Sequence, residues 1–274
     1  MYSTIFHPTD FSNESFTAFV HALKLASESR ASFDIMHTES NDYDDGQFPA
    51  VRETLIKWGM IDEDTEQNEL TAKTGIKVRK VVFEPTDILS AVERWLKRHP
   101  ADLIVLATHG RDGLQRWMQG SIAEEIVRNA ATPTLLLSHD SFGFVDNDSG
   151  ATTLKNILLP VAQNPQPFAA IQATESIMHL CNAEEATVHL LYVGDDKDRP
   201  NLDNKLESFS NLQWHNRTGN IVQGITEVAE DVIADLIVMT TEGHNGFLDV
   251  FRGSTTERVV SDAGFPVLAV PVLN

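Results

Sequence analysis

The sequence contains the same structural unit twice. Residues 101–137 align with residues 234–270 without a gap, and fifteen of the 37 aligned positions are identical, whereas about two or three identities are expected by chance. In each copy an apolar run, DLIVL or DLIVM, leads directly into a glycine-rich segment. A repeat of this kind indicates two domains of one fold joined in tandem.

The two copies also begin alike. The segment TIFHPTDFS near the start of the chain resembles NILLPVAQN in the second half, and Pro8 aligns with Pro160. Between the halves lies SHDSFGFVDNDSGATTLK, residues 138–155, which is rich in Ser, Gly, Asp and Asn and is therefore predicted to be a linker. The resulting domain boundaries are 1–140 for the first domain and 154–274 for the second.

Within each half, apolar runs of strand length alternate with segments of helical spacing. In the first half, Ser12 is predicted to cap a helix whose apolar positions begin with Phe16 and Phe19. Strands that alternate with helices form parallel sheets covered on both faces. The sequence therefore predicts an α/β protein with two tandem, doubly wound, parallel five-stranded sheets of Rossmann-like topology, related by a pseudo-twofold axis. The strands predicted for the first half are 2–7, 33–37, 76–83, 102–107 and 134–137.

The two halves differ between their second and third predicted strands. In the first half this connection contains a polar, largely helical stretch at residues 50–70. In the second half only residues 194–211 lie between the corresponding strands. We therefore expect the second half to lack most of one helix.

The composition excludes several classes of function. The formal net charge is −19, and nucleic-acid affinity comes largely from Lys and Arg that neutralise phosphates, so we expect no nucleic-acid partner. No apolar run approaches the roughly 18 residues of a membrane span, and the N-terminus lacks the pattern of a secretory signal. The one cysteine, Cys181, lies in an apolar helical pattern, which predicts a buried thiol in a reducing compartment. We expect a cytoplasmic protein without a membrane partner.

A glycine-rich segment follows the fourth predicted strand of the first half. Gly110 is followed by nine residues and then by Gly120-Ser121. Ligands of open parallel sheets bind beyond the carboxyl ends of the strands, which is where this segment begins. Glycine lets backbone N–H groups approach an anion, and a helix that starts at Gly120 adds free N–H groups and a positive dipole end. The segment therefore predicts a phosphate site made of backbone, with the Ser121 hydroxyl as a helix cap or as a donor to phosphate.

The second half keeps this spacing. Gly243 is followed by nine residues and then by Gly253-Ser254, although the intervening residues differ, RDGLQRWMQ in one copy and HNGFLDVFR in the other. Retention of the glycines beside diverging neighbours favours a binding role, and a turn kept for folding alone is the alternative. The chain has no G-x-x-x-x-G-K-[ST] motif and no G-x-G-x-x-G after its first strand, which argues against a P-loop or a dinucleotide site.

Together these features resemble the universal stress protein family, whose fold is similar to that of the adenine-nucleotide alpha hydrolases. The family's ATP-binding signature is Gly, two residues, Gly, nine residues, Gly and then Ser or Thr. Here its first glycine is replaced by Ala107 in one half and by Thr240 in the other. The family's first strand typically ends in Pro-x-Asp, which Pro8-Thr9-Asp10 matches, whereas Pro160-Val161-Ala162 lacks the carboxylate. The resemblance covers nearly the whole chain.

The resemblance also implies roles for individual residues. Asp10 and Thr38 would border the adenosine part of ATP, and Leu106 and Ala107 would line the pocket. Asp10 could equally serve as a helix-entry cap beside Ser12, and one residue could do both. The residues whose backbone would hold the phosphates are Gly110, Arg111, Gly120, Ser121 and Ile122, and those of a second, weaker site are Gly243, Gly253 and Ser254.

The function implied by the resemblance is a regulatory role in the stress response through binding of ATP, with or without Mg²⁺. Hydrolysis would need a placed base, and His109 and Asp112 are candidates only by their proximity to the glycines. No Cys/His cluster has the spacing of a metal site. We therefore expect at most slow ATP hydrolysis, and a nucleotide-free interaction or scaffold protein of the same fold remains the alternative. The protein partner is not identified by the sequence.

Single-domain members of the family commonly dimerise through their last strands. The apolar ends TLLLSH and PVLAVPVL could meet in the same way within this chain, which would cover two sheet edges that otherwise invite aggregation. We therefore expect an intramolecular pseudo-dimer, and a homodimer of the whole chain is compatible with it.

Overall fold

One ten-stranded sheet organises the molecule. The computed structural model describes residues 2–38, 48–83, 88–107, 132–137, 143–242 and 264–272. The strands of the first half are β1 (Thr4–Pro8), β2 (Ser32–Thr38), β3 (Lys77–Phe83), β4 (Leu103–Ala107) and β5 (Thr134–Leu137). The strands of the second half are β6 (Asn156–Pro160), β7 (Thr187–Val193), β8 (Asn211–Arg217), β9 (Leu236–Glu242) and β10 (Val267–Val272).

Helices cover both faces of this sheet. In the first half they are α1 (Asn13–Ser29), α2 (Val51–Lys57), α3 (Leu70–Thr74) and α4 (Ile88–Arg98), and in the second half α5 (Phe168–Leu180) and α6 (Ile221–Asp231). Side chains of α1 and α5 share one apolar core cluster, and those of α4 and α6 share the other on the opposite face. In the described part of the chain, no helix is long and apolar enough to cross a membrane.

The strand order is β3-β2-β1-β4-β5-β10-β9-β6-β7-β8. Each half therefore has its first strand in the middle and its third at the outer edge, with all neighbours within a half parallel. This is the doubly wound arrangement predicted for both halves, and the strand count is five in each. The predicted strand bounds differ from the observed ones by at most two residues, and 134–137 agrees with β5 at both ends.

The two halves join through their last strands. β5 and β10 run antiparallel, with Val267 opposite Leu136, Leu268 opposite Leu135 and Ala269 opposite Thr134. All six residues are buried. The prediction that these strands meet within one chain is confirmed, and the two predicted sheets are continuous.

Helix α1 begins where the sequence predicts. The Ser12 hydroxyl accepts a hydrogen bond from the backbone N–H of Ser15 at 3.1 Å, which satisfies one of the free donors of the first turn. The helix ends at Arg30, whose φ of 53° places it in the left-handed region. Between these ends Phe19 and Leu23 are fully buried against the sheet.

The connection between β2 and β3 is less helical than its polar pattern suggests. The predicted helical stretch at 50–70 forms a helix only over α2, and turns lead from there to α3. Gly59 follows the end of α2 with a φ of 68°, a conformation that favours glycine and stops a helix. In the second half two short 3₁₀ helices, Asp196–Asp198 and Asp203–Lys205, take the corresponding place. The prediction that the second half lacks this helix is confirmed for the described residues.

The predicted linker is packed against both halves over its described part, residues 143–155, which we call the connecting hairpin. Val145 and Thr152 form an antiparallel bridge, and Phe144 and Val145 are buried. The Thr152 hydroxyl donates to the carbonyl of Cys181 at the end of α5. A Ser/Gly/Asp-rich composition indicated turns correctly, but it did not reveal the two apolar residues as an anchor.

His21 of α1 holds the connecting hairpin. Its Nδ1–H donates to the carbonyl of Thr17 at 2.8 Å, and its Nε2 accepts the backbone N–H groups of Phe144 at 2.9 Å and Val145 at 3.1 Å. The Phe144 ring lies edge-on to the imidazole at 4.7 Å. Burial lowers the pKa of His21 from 6.5 to about 4, and only the neutral ring can accept both bonds.

This geometry predicts a pH-dependent contribution to stability. The folded pKa of His21 lies below its unfolded value, so the contribution is complete above pH 6.5 and is lost as the pH falls toward 4. Between pH 7.5 and 5.0 the wild type should lose about 2 kcal/mol of unfolding free energy through this one group. His21→Gln cannot titrate and should lose about 2 kcal/mol less over the same interval, as measured by urea unfolding.

The matched control is His179→Gln, because His179 is an exposed histidine whose side chain is 72% accessible. This control should keep the pH dependence of the wild type. If His21→Gln also kept it, the neutral imidazole would not be what holds the connecting hairpin.

Candidate functional site

Each half of the sheet has a point at which the strand order reverses, between β1 and β4 and between β6 and β9. The strands at both points pair over only two residues, and the chains separate toward their carboxyl ends. Such a separation leaves a cleft, which is where open α/β sheets bind ligands. We call the cleft at the ends of β1, β2 and β4 the first crevice and that at the ends of β6, β7 and β9 the second crevice.

The two crevices open at opposite ends of the sheet along the strand direction. Strands within each half are parallel, and β5 is antiparallel to β10, so the carboxyl ends of the first half lie at the amino ends of the second. One small ligand therefore cannot occupy both crevices, and each must be considered as a separate site.

Thr9 fixes the chain just beyond β1 in the first crevice. Its backbone N–H donates to the carbonyl of Met36 at 2.8 Å. Its hydroxyl oxygen accepts from the N–H of Phe11 at 3.1 Å and from the hydroxyl of Ser15 at 2.8 Å. The predicted site residue Thr9 is thus buried in the turn that leads from Pro8 into α1.

Asp10 has the structural role that the sequence left open. Its Oδ1 accepts the backbone N–H of Ser12 at 3.1 Å and the Ser12 hydroxyl at 2.6 Å. Ser12 in turn caps α1, so the carboxylate supports the helix start. Asp10 is only partly buried, and its second oxygen makes no hydrogen bond to the described residues. One oxygen therefore supports the start of α1, and the other is unpartnered among the described residues.

A histidine that the sequence reading missed also borders the first crevice. The Nδ1–H of His37 donates to the Thr9 carbonyl at 2.7 Å, and its ring stacks on Phe11 at 3.9 Å between centroids. Phe11 adopts a φ of 62°, which is unusual for a residue other than glycine. The predicted residue Thr38 follows as the last residue of β2. A polar pair at the end of an apolar strand was the signal that could have identified His37.

His7 fills the gap that opens between β1 and β4. The last paired residues there are Phe6 and Ile104, and one step further the His7 side chain replaces backbone pairing by donating from Nδ1 to the Val105 carbonyl at 2.9 Å. Burial lowers the pKa of His7 to about 4, outweighing the opposite effects of this hydrogen bond and of the Asp10 charge. The ring is therefore neutral near pH 7, and its buried Nε2 has no hydrogen-bond partner within the described ranges.

The remaining predicted residues of the first crevice divide into two groups. Leu106 and Ala107 are the last two residues of β4, both are buried, and they face opposite sides of the sheet. The glycine segments lie outside the described residues, so the structure does not place the predicted phosphate contacts Gly110, Arg111, Gly120, Ser121, Ile122, Gly243, Gly253 and Ser254.

The second crevice repeats the backbone of the first with different side chains. The N–H of Val161 donates to the Leu191 carbonyl at 2.8 Å, just as Thr9 donates to Met36. This shared bond and the shared strand register align the two crevices residue by residue. The four polar residues of the first crevice, Thr9, Asp10, His37 and Thr38, correspond to Val161, Ala162, Tyr192 and Val193.

The described residues carry little that could support covalent or metal chemistry. Burial raises the pKa of the Cys181 thiol to about 12, so it stays protonated and unreactive, and the prediction that this cysteine is a core residue is confirmed. No group of three or more His, Cys, Asp or Glu side chains within the described ranges could hold a metal ion. The first crevice presents a polar surface made of Thr9, Asp10, His37 and Thr38.

The fold and the crevices define a tandem α/β protein with one crevice at the carboxyl ends of the strands in each half. The universal stress protein family model matches residues 1–138 and 205–271. The chain belongs to the universal stress protein family. Its role therefore falls among the stress-response proteins of that family.

Individual relatives are similar to all or to half of the chain, and the one from Archaeoglobus fulgidus supports the fold over nearly its whole length. A universal stress protein of Methanocaldococcus jannaschii is 29% identical over 142 residues, which cover 50% of this chain and 82% of that protein. The crystal structure of a universal stress protein from Archaeoglobus fulgidus aligns with 98% of this chain and 96% of its own, at 16% identity and a TM-score of 0.65. A universal stress protein solved in complex with cAMP aligns with 50% of this chain and 97% of its own, at 22% identity and a TM-score of 0.31.

The two roles of Asp10 can be separated by substitution. Asp10→Asn keeps an oxygen that can accept from Ser12, whereas Asp10→Ala removes it. We expect Asp10→Ala to lower the free energy of unfolding by about 1 kcal/mol and Asp10→Asn by less than about 0.5 kcal/mol, measured by urea unfolding at pH 7.5. Equal losses in the two variants would show that the charge, and not the acceptor oxygen, supports the start of α1.

Proposed function

We propose that this universal stress protein binds ATP in its first crevice and that nucleotide occupancy regulates its interaction with a protein partner in the cytoplasm. The observation that carries this proposal is the contrast between the crevices. The same backbone presents Thr9, Asp10, His37 and Thr38 in the first half and apolar or aromatic residues in the second. A polar set at the usual ligand position of the fold suits the sugar and base of a nucleotide.

The first crevice has residues that fit the adenosine part of ATP. The second oxygen of Asp10 can accept hydrogen bonds from hydroxyl or amino groups of the ligand, and Thr38 lies partly exposed at the end of the neighbouring strand. Leu106 and Ala107 supply apolar surface at the end of β4. Adenosine combines a flat apolar ring with peripheral polar groups, which matches this mixture.

The phosphates would bind to the segment that follows β4. Gly110, Gly120 and Ser121 offer backbone N–H groups and a helix start, a combination that binds anions without a cluster of Lys or Arg. Such a site is compatible with a formal net charge of −19. Mg²⁺ prefers oxygen ligands, and the nucleotide phosphates would provide them.

A nucleotide-free scaffold protein is the second candidate, and one observation favours it. Thr9, Asp10 and His37 each make hydrogen bonds within the protein, so the turn into α1 alone could account for their presence. Slow ATP hydrolysis is a weaker third candidate. It would require a base outside the described residues, such as His109 or Asp112, because Asp10 is held by Ser12 and His7 is buried.

The proposal predicts unequal roles for the two halves in ATP binding. In calorimetric titrations, Asp10→Ala should weaken ATP binding roughly tenfold to a hundredfold, because a hydrogen bond to a charged acceptor contributes about 1.5–3 kcal/mol. Gly120→Val should weaken it strongly, because the side chain would occupy space needed for phosphate. Gly253→Val, the matched change in the second half, should leave the affinity nearly unchanged.

Asp10→Asn is the control for folding, because it can keep the hydrogen bonds to Ser12. Weaker ATP binding in this variant, with unfolding free energy near that of the wild type, would assign the effect to the lost charge. If Gly253→Val abolished ATP binding and Gly120→Val did not, ATP would bind in the second half and the proposal would be wrong. Mass spectrometry that found no nucleotide released from the freshly purified protein, together with no binding in calorimetry, would favour the scaffold.

A further inference from the structure

The second crevice contains a cavity whose chemistry differs from that of a nucleotide site. It has a volume of about 130 Å³ and opens beside the ends of β6, β7 and β9. Among the described residues that line it none is charged, and the polar side chains among them are those of Tyr192 and Thr240. Its apolar walls include Pro160, Pro165, Pro167, Leu191, Ile225 and Met239.

The volume limits the size of an occupant. Cofactor and drug-sized ligands fill pockets of about 300–1,000 Å³, well above this cavity. An apolar cavity of about 150 Å³ in another protein is large enough for benzene. The second crevice therefore fits one ring-sized group, and its walls favour a ring without charge because burial of an unpaired charge is costly.

Thr240 adds one specific polar contact. Its hydroxyl oxygen is buried and has no hydrogen-bond partner among the residues that the structure describes. Buried hydroxyl groups in native proteins are nearly always hydrogen-bonded, so an unpartnered one beside a cavity is a candidate contact for a ligand. The corresponding residue of the first half is Ala107, which has no polar side-chain group. At this position the polar side chain lies in the second half, which is the reverse of the difference at Thr9, Asp10 and Thr38.

The entrance of the cavity supports the same reading. Ile221, at the first turn of α6, lines the cavity although its side chain is 55% exposed. Exposed large apolar side chains are ordinary when they occur singly, but one at the mouth of an apolar cavity extends the surface that a ligand can cover. The apolar side chains of Val161 and Val193 border the same cavity.

We propose that the second crevice binds an uncharged, mostly apolar compound of about one aromatic ring, which presents a single hydrogen-bonding group to Thr240. The tandem chain then carries two different sites, and this proposal does not depend on ATP binding in the first crevice. Because the crevices open at opposite ends of the sheet, each ligand can bind without displacing the other.

The test uses para-fluorophenol as the probe and para-fluorotoluene as its matched partner without a hydroxyl, followed by fluorine NMR with the full-length protein. Both should bind saturably with dissociation constants of about 1 mM. The phenol should bind roughly two- to tenfold more tightly, the range for one neutral hydrogen bond. Thr240→Val keeps the shape of the side chain and should abolish this preference while both probes still bind.

Ile221→Glu places a charge at the mouth of the cavity and should weaken both probes by roughly tenfold or more. An acidic residue in the first turn of a helix is well tolerated, so the variant should fold. Ile233→Glu is the matched control, because Ile233 is also an exposed isoleucine, at 76%, but does not line the cavity. It should bind both probes like the wild type, as should Asp10→Ala.

Each remaining outcome counts against the proposal. If neither probe bound saturably, or if Ile221→Glu bound both probes like the wild type, the cavity would not be a binding site for a ring-sized compound. Retention of the phenol preference in Thr240→Val would remove the assigned contact. Displacement of the probes by ATP would make the second crevice a nucleotide site. ATP affinity of Ile221→Glu is measured alongside, and a wild-type value there keeps the two proposals separate.

Discussion

The antiparallel pairing of β5 with β10 is the contact on which the rest of the architecture depends. It joins two parallel five-stranded units into one sheet, and it covers two apolar edges that would otherwise expose unpaired N–H and C=O groups. It also reverses the strand direction between the halves. Equivalent helices therefore share a face of the sheet, as α1 and α5 do, while the crevices open at opposite ends of the sheet.

After the duplication the two halves kept the same backbone geometry in their crevices but diverged in the side chains that line them. The bond from the residue after Pro8 to Met36 recurs after Pro160 to Leu191, so the crevice geometry survives in both halves. What differs is the polarity of the side chains around it. In the first half Asp10 links the crevice to the start of α1 through Ser12, whereas the second half has Ala162 at the corresponding position and so no carboxylate there. The two crevices therefore differ through a few side chains on a retained backbone.

The connecting hairpin shows how a segment between domains becomes part of the core. His21 accepts two backbone N–H groups from it, and Thr152 attaches it to the end of α5. The segment is stabilised by the neutral form of a fully buried imidazole, so its attachment is linked to pH. A short apolar pair within a Ser/Gly/Asp-rich stretch was too weak a pattern to reveal this.

The sequence by itself determined the duplication, the alternation of strands and helices, the Ser12 cap, the shortened connection in the second half and the family. These follow from local periodicity and from comparison of the two copies, which need no knowledge of distant contacts. Only the tertiary structure decided that His7 bridges β1 and β4, that His37 packs on Phe11 and that one Asp10 oxygen is already used. It also showed that the Thr240 hydroxyl has no partner in the described part of the chain. Each of these depends on which strands lie side by side and where they separate, and residues about a hundred positions apart meet only when the sheet has formed.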